Sequence, residues 1–595
     1  MRIKVSDYIA KFLKEKNIKH VFAVSGGASL HLIHSVAKIK NIEYVCPTHE
    51  QACAMAADAY SRYKKNSSVV FTSSGPGATN LSTGICGAFF DSIPVIFITG
   101  QVSTFRSKDN LKVRQIGFQE TECVSMYKSV TKYVYKIKKP EEIVYELEKA
   151  YFIANNLRPG PVLLDIPDNI QREFINLKKC KKFISKLNKK SLPYDDKKNS
   201  AKINLINKLL NKSKRPVLIL GWGVCLSNAE SLAIRLVSKL KIPTVLTWGA
   251  AHVLEYKNKY NLGTWGTHGT RYANFAVQNS DLVIIIGSRL DTKATGSPIN
   301  TFARKAKKIM IDIDDGELQK FIRFNLKIDV KIHSDAKKFI SSFLNFSKKT
   351  NFKSYNKWYI QIKHWKTNYP ICPEEYFLEK EINPYVFIKK LSKKISKNTI
   401  ICSDTGCTIA WAMQAFEFKK NQKFFHDFNN TAMGWAIPAA IGLSFATNMK
   451  KQIICLVGDG SYSFNIQELA IIKKYKMPIK IFLLNNNGYS MIKQTQEQWL
   501  NSDYFASSIN GGLSRTDFVL VTKAYGLKTK SIKYNKDIEK VIMSSLSNMN
   551  PMFCELLINK NKRVIPQVKF GRPNEDLEPL LDRYEFKKNM IIPVI

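Results

Sequence analysis

Short runs of Ile, Val, Leu and Phe recur along this chain, each closed by a turn of Gly, Asp, Asn, Ser or Thr that opens a helical pattern. The runs are uninterrupted rather than alternating. A strand apolar at every position is covered on both faces, the condition of parallel sheets flanked by helices. Parallel neighbours also need a crossover, so strands and helices must alternate along the chain. The runs fall in three blocks. The first, about residues 1–180, carries them at 20–24, 69–73, 95–99 and 162–166; the second, about 190–345, at 217–220, 244–246, 282–286 and 308–313; the third, about 380–560, at 399–403, 452–457, 479–484 and 553–558. This predicts an α/β protein of three parallel-sheet domains. The first and third blocks share size and strand spacing, as related folds would. Lys-rich stretches at 177–216 and 347–366 read as linkers. The tail at 561–595, with little regular pattern, is expected to pack over the site or over a partner subunit.

The chain carries 92 Lys and Arg against 48 Asp and Glu, a net charge of +44, which raises nucleic acid as a partner. The basic residues are spread over exposed helix faces and the two linkers without a recognisable nucleic-acid module, so that class is set aside. Long-range steering of anionic substrates remains a use for the charge. No apolar run reaches the roughly 18–20 residues that span a bilayer, and residues 1–18 read as an amphipathic helix rather than a leader. The expectation is a cytoplasmic protein with no membrane partner. The 11 cysteines form no Cys-x-x-Cys pair, and Cys225, Cys402, Cys455 and Cys554 lie in apolar segments, which suits reduced, buried thiols better than disulfides or zinc.

Gly458-Asp459-Gly460-Ser461 follows the apolar run ending at Val457, and Asn485-Asn486-Asn487 follows the run ending at Leu484. Asp459 and Asn486 are 27 positions apart (486 − 459 = 27). In open α/β sheets ligands bind at the carboxyl ends of strands. Gly458 and Gly460 let a backbone approach phosphate closely. Residues 465–475 have helical periodicity, so the strand after them returns Asn486 to Asp459. Hard oxygen donors beside a diphosphate suit Mg²⁺, with Asp459, Asn486 and the Gly488 carbonyl as candidate ligands. The residues alone leave a plainer reading open, a Gly-rich turn and an Asn-rich loop in an Asn- and Lys-rich chain. Glu50, at the start of a helix over 52–60, is on its own an ordinary partner for the helix dipole.

The Gly458-Asp459-Gly460 to Asn485-Asn486 spacing resembles the magnesium and cofactor motif of thiamine-diphosphate enzymes. An ordered series upstream adds to it: His49-Glu50-Gln51, Ser74-Gly75-Pro76-Gly77-Ala78-Thr79-Asn80, Asp91-Ser92-Ile93-Pro94, Ile98-Thr99-Gly100-Gln101, Gly117-Phe118-Gln119-Glu120, and Arg158-Pro159-Gly160-Pro161-Val162 leading to Asp165-Ile166-Pro167. That series resembles the N-terminal domain of acetolactate synthases, and the likeness runs from about residue 3 to 590. It implies a pyrimidine-binding first domain, a dinucleotide-fold middle domain and a diphosphate-binding third domain. It implies that Glu50 hydrogen-bonds N1′ of the aminopyrimidine, so that the cofactor's own 4′ nitrogen takes the C2 proton. A partly desolvated Glu would hold a proton more readily. Met433 would prop the cofactor in its bent form. Gly26, Pro76, Asp404, Gly406, Gly458, Gly460 and Ser461 would line the cofactor, with the 404–408 turn donating to the diphosphate. Phe118 and Gln119 would stand beside the reacting centre.

For the middle domain, the likeness involves Arg158, Gly221, Thr247, Gly266, His268, Gly287, Arg289 and Asp312. Two readings stay open there, bound FAD or a structural domain with an empty cleft; His268 and Arg289 favour the flavin. Arg289-Leu290-Asp291-Thr292-Lys293 departs from the family's Arg-Phe-Asp-Asp-Arg. The family also implies a homodimer or homotetramer with active sites between subunits, and allows a regulatory small subunit.

The implied reaction adds the cofactor's carbanion to a 2-keto acid, pyruvate first of all, releases CO₂ and transfers the two-carbon unit to a second carbonyl, as in branched-chain amino acid biosynthesis. Met491 and Gln494 match the family, but Thr495 stands where acetolactate synthases have a Trp that shapes the acceptor pocket. Asp168 replaces a Lys, and residues 106–115 read as an insertion. These changes surround the substrate entrance. The reading is therefore an acetolactate-synthase-like carboligase. Two alternatives remain, a carboligase for a keto-sugar nucleotide or other larger acceptor in surface-polysaccharide synthesis, and a simple 2-keto acid decarboxylase. A non-catalytic protein is argued against by Glu50, Asp459 and Asn486 together.

Overall fold

In the computed structural model, which describes residues 2–184 and 196–595, the apolar runs form three six-stranded sheets, parallel throughout. With strands counted in chain order within each sheet, the first and third both run 2-1-3-4-6-5, whereas the middle one runs 3-2-1-4-5-6. Each order reverses direction once beside its first strand, opening a crevice at the carboxyl ends. In the first sheet the crevice lies between His20–Ala23 and Ser68–Thr72, in the middle between Pro216–Leu220 and Leu282–Ile286, and in the third between Ile400–Ser403 and Ile453–Gly458. The Gly- and Asp-bearing turns of the sequence follow these six strands.

Within these three sheets, the strands Tyr133–Lys136, Asn261–Thr264, Val330–His333, Lys423–Phe425 and Lys528–Ile532, which the apolar runs do not mark, are all sheet edges. An edge strand is covered less completely and tolerates Lys and Asn, so it lacks the apolar signature. The two supposed linkers also differ from expectation. Residues 185–195 of the first lie outside the described residues, but Asp196–Lys212 is a helix that buries Ile203, Ile206 and Leu210 in the middle domain's core. Asn356–Asn368, in the second, buries Trp358, Ile362 and Trp365 there. Three apolar residues per two turns suffice for one buried stripe, and the lysines between them masked it.

The tail is more regular than expected: its start packs on the third domain, where Val564 exchanges backbone hydrogen bonds with the Gln494 side chain (2.9 and 3.1 Å), and the rest joins the middle domain. It forms a helix, Arg583–Asn589, and places Phe586 in that domain's core. Arg271 donates to the carbonyls of Leu577 (3.2 Å) and Pro579 (2.7 Å), and Arg304 pairs with Glu575 at 2.6 Å. The first and third domains share one core through two helices, Glu50–Lys64 and Ala436–Ala446. Small residues permit this approach. A side chain at Gly442 would stand 2.0 Å from the Ala56 carbonyl oxygen. Among the described residues no helix is long and apolar enough to cross a membrane.

Candidate functional site

In the third domain, both strands at the crevice are followed directly by an aspartate. Asp404 is buried, and its carboxylate accepts from the backbone N–H of Thr405 (2.9 Å), Gly434 (3.2 Å) and Ala436 (2.9 Å). Burial pushes its pKa up, and these bonds, with one from Ser461, oppose the shift. Asp404 thus ties the 404–406 turn to the loop that carries Met433. Gly406 adopts φ +75° just before the Cys407–Ala415 helix, with open space where a side chain would be.

Asp459 joins its own turn to the Asn-rich loop: one carboxylate oxygen accepts from Gly460 N–H (2.8 Å), the other from Gly488 N–H (2.9 Å). Burial raises its pKa, opposed first by those amides. Asn486 is buried beside it, and its side-chain oxygen has no partner. A buried acceptor without a donor needs a ligand, and a carboxylate, an amide oxygen and the Gly488 carbonyl form a hard-oxygen set that fits Mg²⁺. Gly488 takes φ +140°, outside the range of ordinary side-chain-bearing residues. Met433 and Tyr489 close over Gly460, where a β-carbon would stand 2.9 Å from Met433 Cε and 2.2 Å from Tyr489 Cε1. Gly458 has room, with Thr408 Oγ1 at 3.4 Å.

The first domain assembles a second group. Glu50 begins the Glu50–Lys64 helix, and its Oε2 accepts from Asn80 Nδ2 at 2.9 Å. Its Oε1 faces Gly77, whose β-carbon would lie 3.8 Å away. Pro76 is the first residue of the short Pro76–Thr79 helix. Gln119 holds φ +64° and packs against Gly75, while Phe118 is 88% exposed. Gly26 closes on Ser73, its β-carbon position lying 2.5 Å from that of Ser73. The motif residues nearby are structural. Gln101 donates to Asp165 (2.9 Å) and to the Thr121 carbonyl (2.7 Å). Glu120 accepts from Lys108 N–H (2.7 Å) and Ile116 N–H (3.0 Å), bracing the 106–115 segment. Asp168 takes the Ser103 hydroxyl at the foot of the same loop.

The middle crevice is a cavity of about 390 Å³. Arg158, Thr247, His268, Gly287, Arg289 and Asp312 line it, with Trp222, Trp248 and Lys293. Gly221 and Gly266 stand behind this wall, where side chains would come within 2.2 Å of the Gly287 and Lys293 carbonyl oxygens. Both ring nitrogens of His268, Thr247 Oγ1 and Trp265 Nε1 are buried without partners. Burial lowers the His268 pKa to about 3 and raises that of Asp312 to about 6. Orphaned polar atoms around a Gly-lined cleft fit a dinucleotide. The two arginines face acids of their own: Arg158 pairs with Asp314 (2.6 Å) and Glu317 (3.2 Å), and Arg289 with Glu317 (3.4 Å). Cysteine does enter one group of metal-ligating side chains, Cys225, Glu230 and His252, but Lys65 and Lys423 already neutralise Glu230 at 2.7 and 3.0 Å.

The structure therefore gathers Asp404, Gly406, Met433, Gly458, Asp459, Gly460, Ser461, Asn486 and Gly488 at one crevice, and Gly26, Glu50, Pro76, Phe118 and Gln119 at another. Among the described residues no hydrogen bond or ion pair links Glu50 to Asp459, Asn486 or Met433. Two residues escaped the sequence reading. Lys493 is buried against Gly488 with its ammonium 3.4 Å from the Asn487 carbonyl, and one Lys among so many carries no mark of its own. Glu468 is fully buried and accepts from Thr48 N–H (3.0 Å to each oxygen) and His49 N–H (3.1 Å). Burial pushes it up to about 7 against those amides. Its cue was the one acid in the helical stretch 465–475.

Two crevices of equal topology, one with a buried oxygen set that fits Mg²⁺ and one presenting a carboxylate, match the arrangement expected of a thiamine-diphosphate enzyme. Three family profiles match in order: Thiamine pyrophosphate enzyme, N-terminal TPP binding domain, at residues 3–126; the central domain at 203–343; and the C-terminal TPP binding domain at 404–556. The acetolactate synthase large subunit of Cyanidium caldarium is 32% identical over 95% of this chain and 95% of its own length. That of Pyropia yezoensis is 31% identical over 94% and 92%, and the probable acetolactate synthase large subunit of Methanocaldococcus jannaschii 32% over 98% and 97%. The chain belongs to the thiamine-pyrophosphate enzyme family and is an acetolactate-synthase-like, thiamine-diphosphate-dependent transferase.

Proposed function

We propose that the protein decarboxylates pyruvate and joins the two-carbon unit to a second carbonyl compound, using Mg²⁺ held by Asp459, Asn486 and the Gly488 carbonyl. The observation that carries this is the Gly460 crevice, where Met433, Tyr489, Asp459 and the unpartnered Asn486 oxygen converge. Bound thiamine diphosphate would supply the nucleophilic carbon and the electron sink. The Asp459 turn and Gly406 receive the diphosphate, Met433 supports the cofactor, and Glu50 exchanges a proton at its Oε1. Phe118 and Gln119 border the substrate.

We place the complete site between two copies of the chain, in a homodimer or a pair of such dimers. The apolar surface exposed beside each group supports this, Phe118 at 88% on one side and Phe505 at 72% on the other. FAD in the middle cavity is supported by the orphaned His268, Thr247 and Trp265 atoms; the reaction is redox-neutral, so the flavin would be structural.

A larger acceptor is favoured by one observation. Thr495, whose hydroxyl donates to the Met491 carbonyl (3.2 Å) in its own helix, is smaller than the Trp that the family resemblance implies at this position. Incubation with pyruvate, Mg²⁺ and thiamine diphosphate tests the assignment. Acetolactate formation supports a 2-keto acid acceptor; CO₂ release that requires an added keto-sugar nucleotide supports the larger one; CO₂ release without ligation makes it a decarboxylase. A flavin absorption band in the purified protein, lost in His268→Ala, tests the FAD site.

A further inference from the structure

Several side chains cross between the first and third domains, among them Trp435, which donates to Asp58 at 3.1 Å, and Glu468, which reaches the start of the helix that carries Glu50. Glu468 ends the segment that starts at Asp459: the Asp459–Phe464 helix runs into the Ile466–Glu468 turn, and Asn465 donates to the Gly434 carbonyl (2.8 Å), next to Met433. The Glu468 carboxylate leaves the third domain and accepts the backbone N–H of Thr48 and His49 in the first domain. His49 is the N-cap of the Glu50–Lys64 helix, its ring nitrogen accepting from Gln51 N–H at 3.1 Å. The residue that sets the φ/ψ of this cap sets the direction in which Glu50 leaves the backbone. The amides of Thr48 and His49 precede the helix and have no intrahelical partner, so the buried Glu468 carboxylate supplies their acceptors.

We infer that Glu468 is a positioning residue for Glu50, and that it couples occupation of the Asp459 clamp to the placement of Glu50 on the same chain. The inference rests on the proposed division of the active site between two copies. Under that division the clamp and the Glu50 of one chain serve different sites, so Glu468 links two active sites through a single protomer. The link is short and stiff. It comprises one helix, one turn and a carboxylate whose two oxygens are both engaged.

Hydrogen exchange on the cofactor-free protein, followed by mass spectrometry, tests this without turnover. The probe is Mg²⁺ with inorganic pyrophosphate, which can fill the clamp but has no pyrimidine to touch Glu50. Wild-type protein is expected to slow exchange both in 457–462 with 485–489 and in the peptide spanning 46–53. Glu468→Gln keeps the volume but turns an N–H₂ toward an amide donor. In that variant the clamp peptides should still respond, while 46–53 should exchange about tenfold faster at baseline and ignore pyrophosphate, the loss of one charge-assisted bond of ordinary strength. Glu468→Asp, too short to reach both amides, should fall between the two. With the full cofactor, kcat is expected to fall about tenfold with the apparent cofactor affinity unchanged, a split that general loss of structure would not produce. If wild-type clamp peptides respond and 46–53 does not, or if Glu468→Gln leaves 46–53 as in wild type, the positioning role is overturned. If the clamp peptides themselves ignore Mg²⁺ and pyrophosphate, the diphosphate reading of Asp459 fails instead, and the coupling with it.

Discussion

Gly458 and Gly460 flank Asp459 symmetrically in sequence, yet the structure predicts opposite responses to the same substitution. At Gly458 an added β-carbon meets Thr408 Oγ1 at 3.4 Å, ordinary van der Waals contact, in a backbone with φ −86° and ψ 163° that alanine adopts freely. At Gly460 it would lie 2.2 Å from Tyr489 Cε1 and 2.9 Å from both Tyr489 Cδ1 and Met433 Cε. The methionine methyl can rotate away. The tyrosine ring can yield only by swinging as a rigid plane, because its backbone caps the Ser490–Trp499 helix and its N–H is held by the Ser507 carbonyl at 2.9 Å. Overpacking of this kind costs roughly 1–3 kcal/mol, and here it falls on the loop that carries Asn486 and Gly488. Gly460→Ala should therefore weaken binding of thiamine diphosphate with Mg²⁺ by about ten- to a hundredfold, measured by calorimetric titration of the cofactor-free protein. Gly458→Ala should stay within about threefold, as a substitution without a clash does. Both should fold, with far-ultraviolet circular dichroism like wild type. Equal losses in the two variants would refute the steric argument and point to a shared backbone requirement of the motif.

Glu50→Gln should lower kcat by at least about a hundredfold, the usual scale of general acid–base assistance, with cofactor affinity by titration nearly unchanged; normal turnover would sink the assigned role. Thr495→Trp should shift acceptor preference toward small 2-keto acids, seen in competition between pyruvate and a keto-sugar nucleotide, because it adds bulk beside Met491. In flavin-free protein, burial holds the folded pKa of Asp312 at about 6, above its ordinary 3.8. Its stabilising contribution is then full below about pH 4 and lost as pH rises through about 6, by roughly 3 kcal/mol at most. Asp312→Asn should raise the unfolding midpoint at pH 7.5 and lose that advantage by pH 4; a constant difference across this range would contradict the burial argument.

The covered interior strands were legible because being apolar at every position is a strong constraint, and the turns after them named the crevices. The edge strands and the two Lys-rich helices were not legible. Ile203, Ile206 and Leu210, or Trp358, Ile362 and Trp365, form one narrow stripe each, and the lysines around them lower the average that a linker reading relies on. The tail was opaque for a related reason. Its Phe586 and Glu575 find partners in Phe275 and Arg304, several hundred positions away.

By itself the sequence determined the fold class, the three sheets' inner strands and the identity of Glu50, Asp459 and Asn486 as candidates, since these follow from local covering and from residue types that few other chemistries require. Only the tertiary structure decided how they are arranged. It put Asp404 to work holding the Met433 loop, drew Gly221 and Gly266 back from the cavity wall, and joined the scaffolds of Glu50 and the clamp through Glu468. Those outcomes depend on which backbone amides meet which carboxylates across packed domains, at ranges of roughly 3 Å. No local pattern encodes that, because the partners of one hydrogen bond stand 420 residues apart.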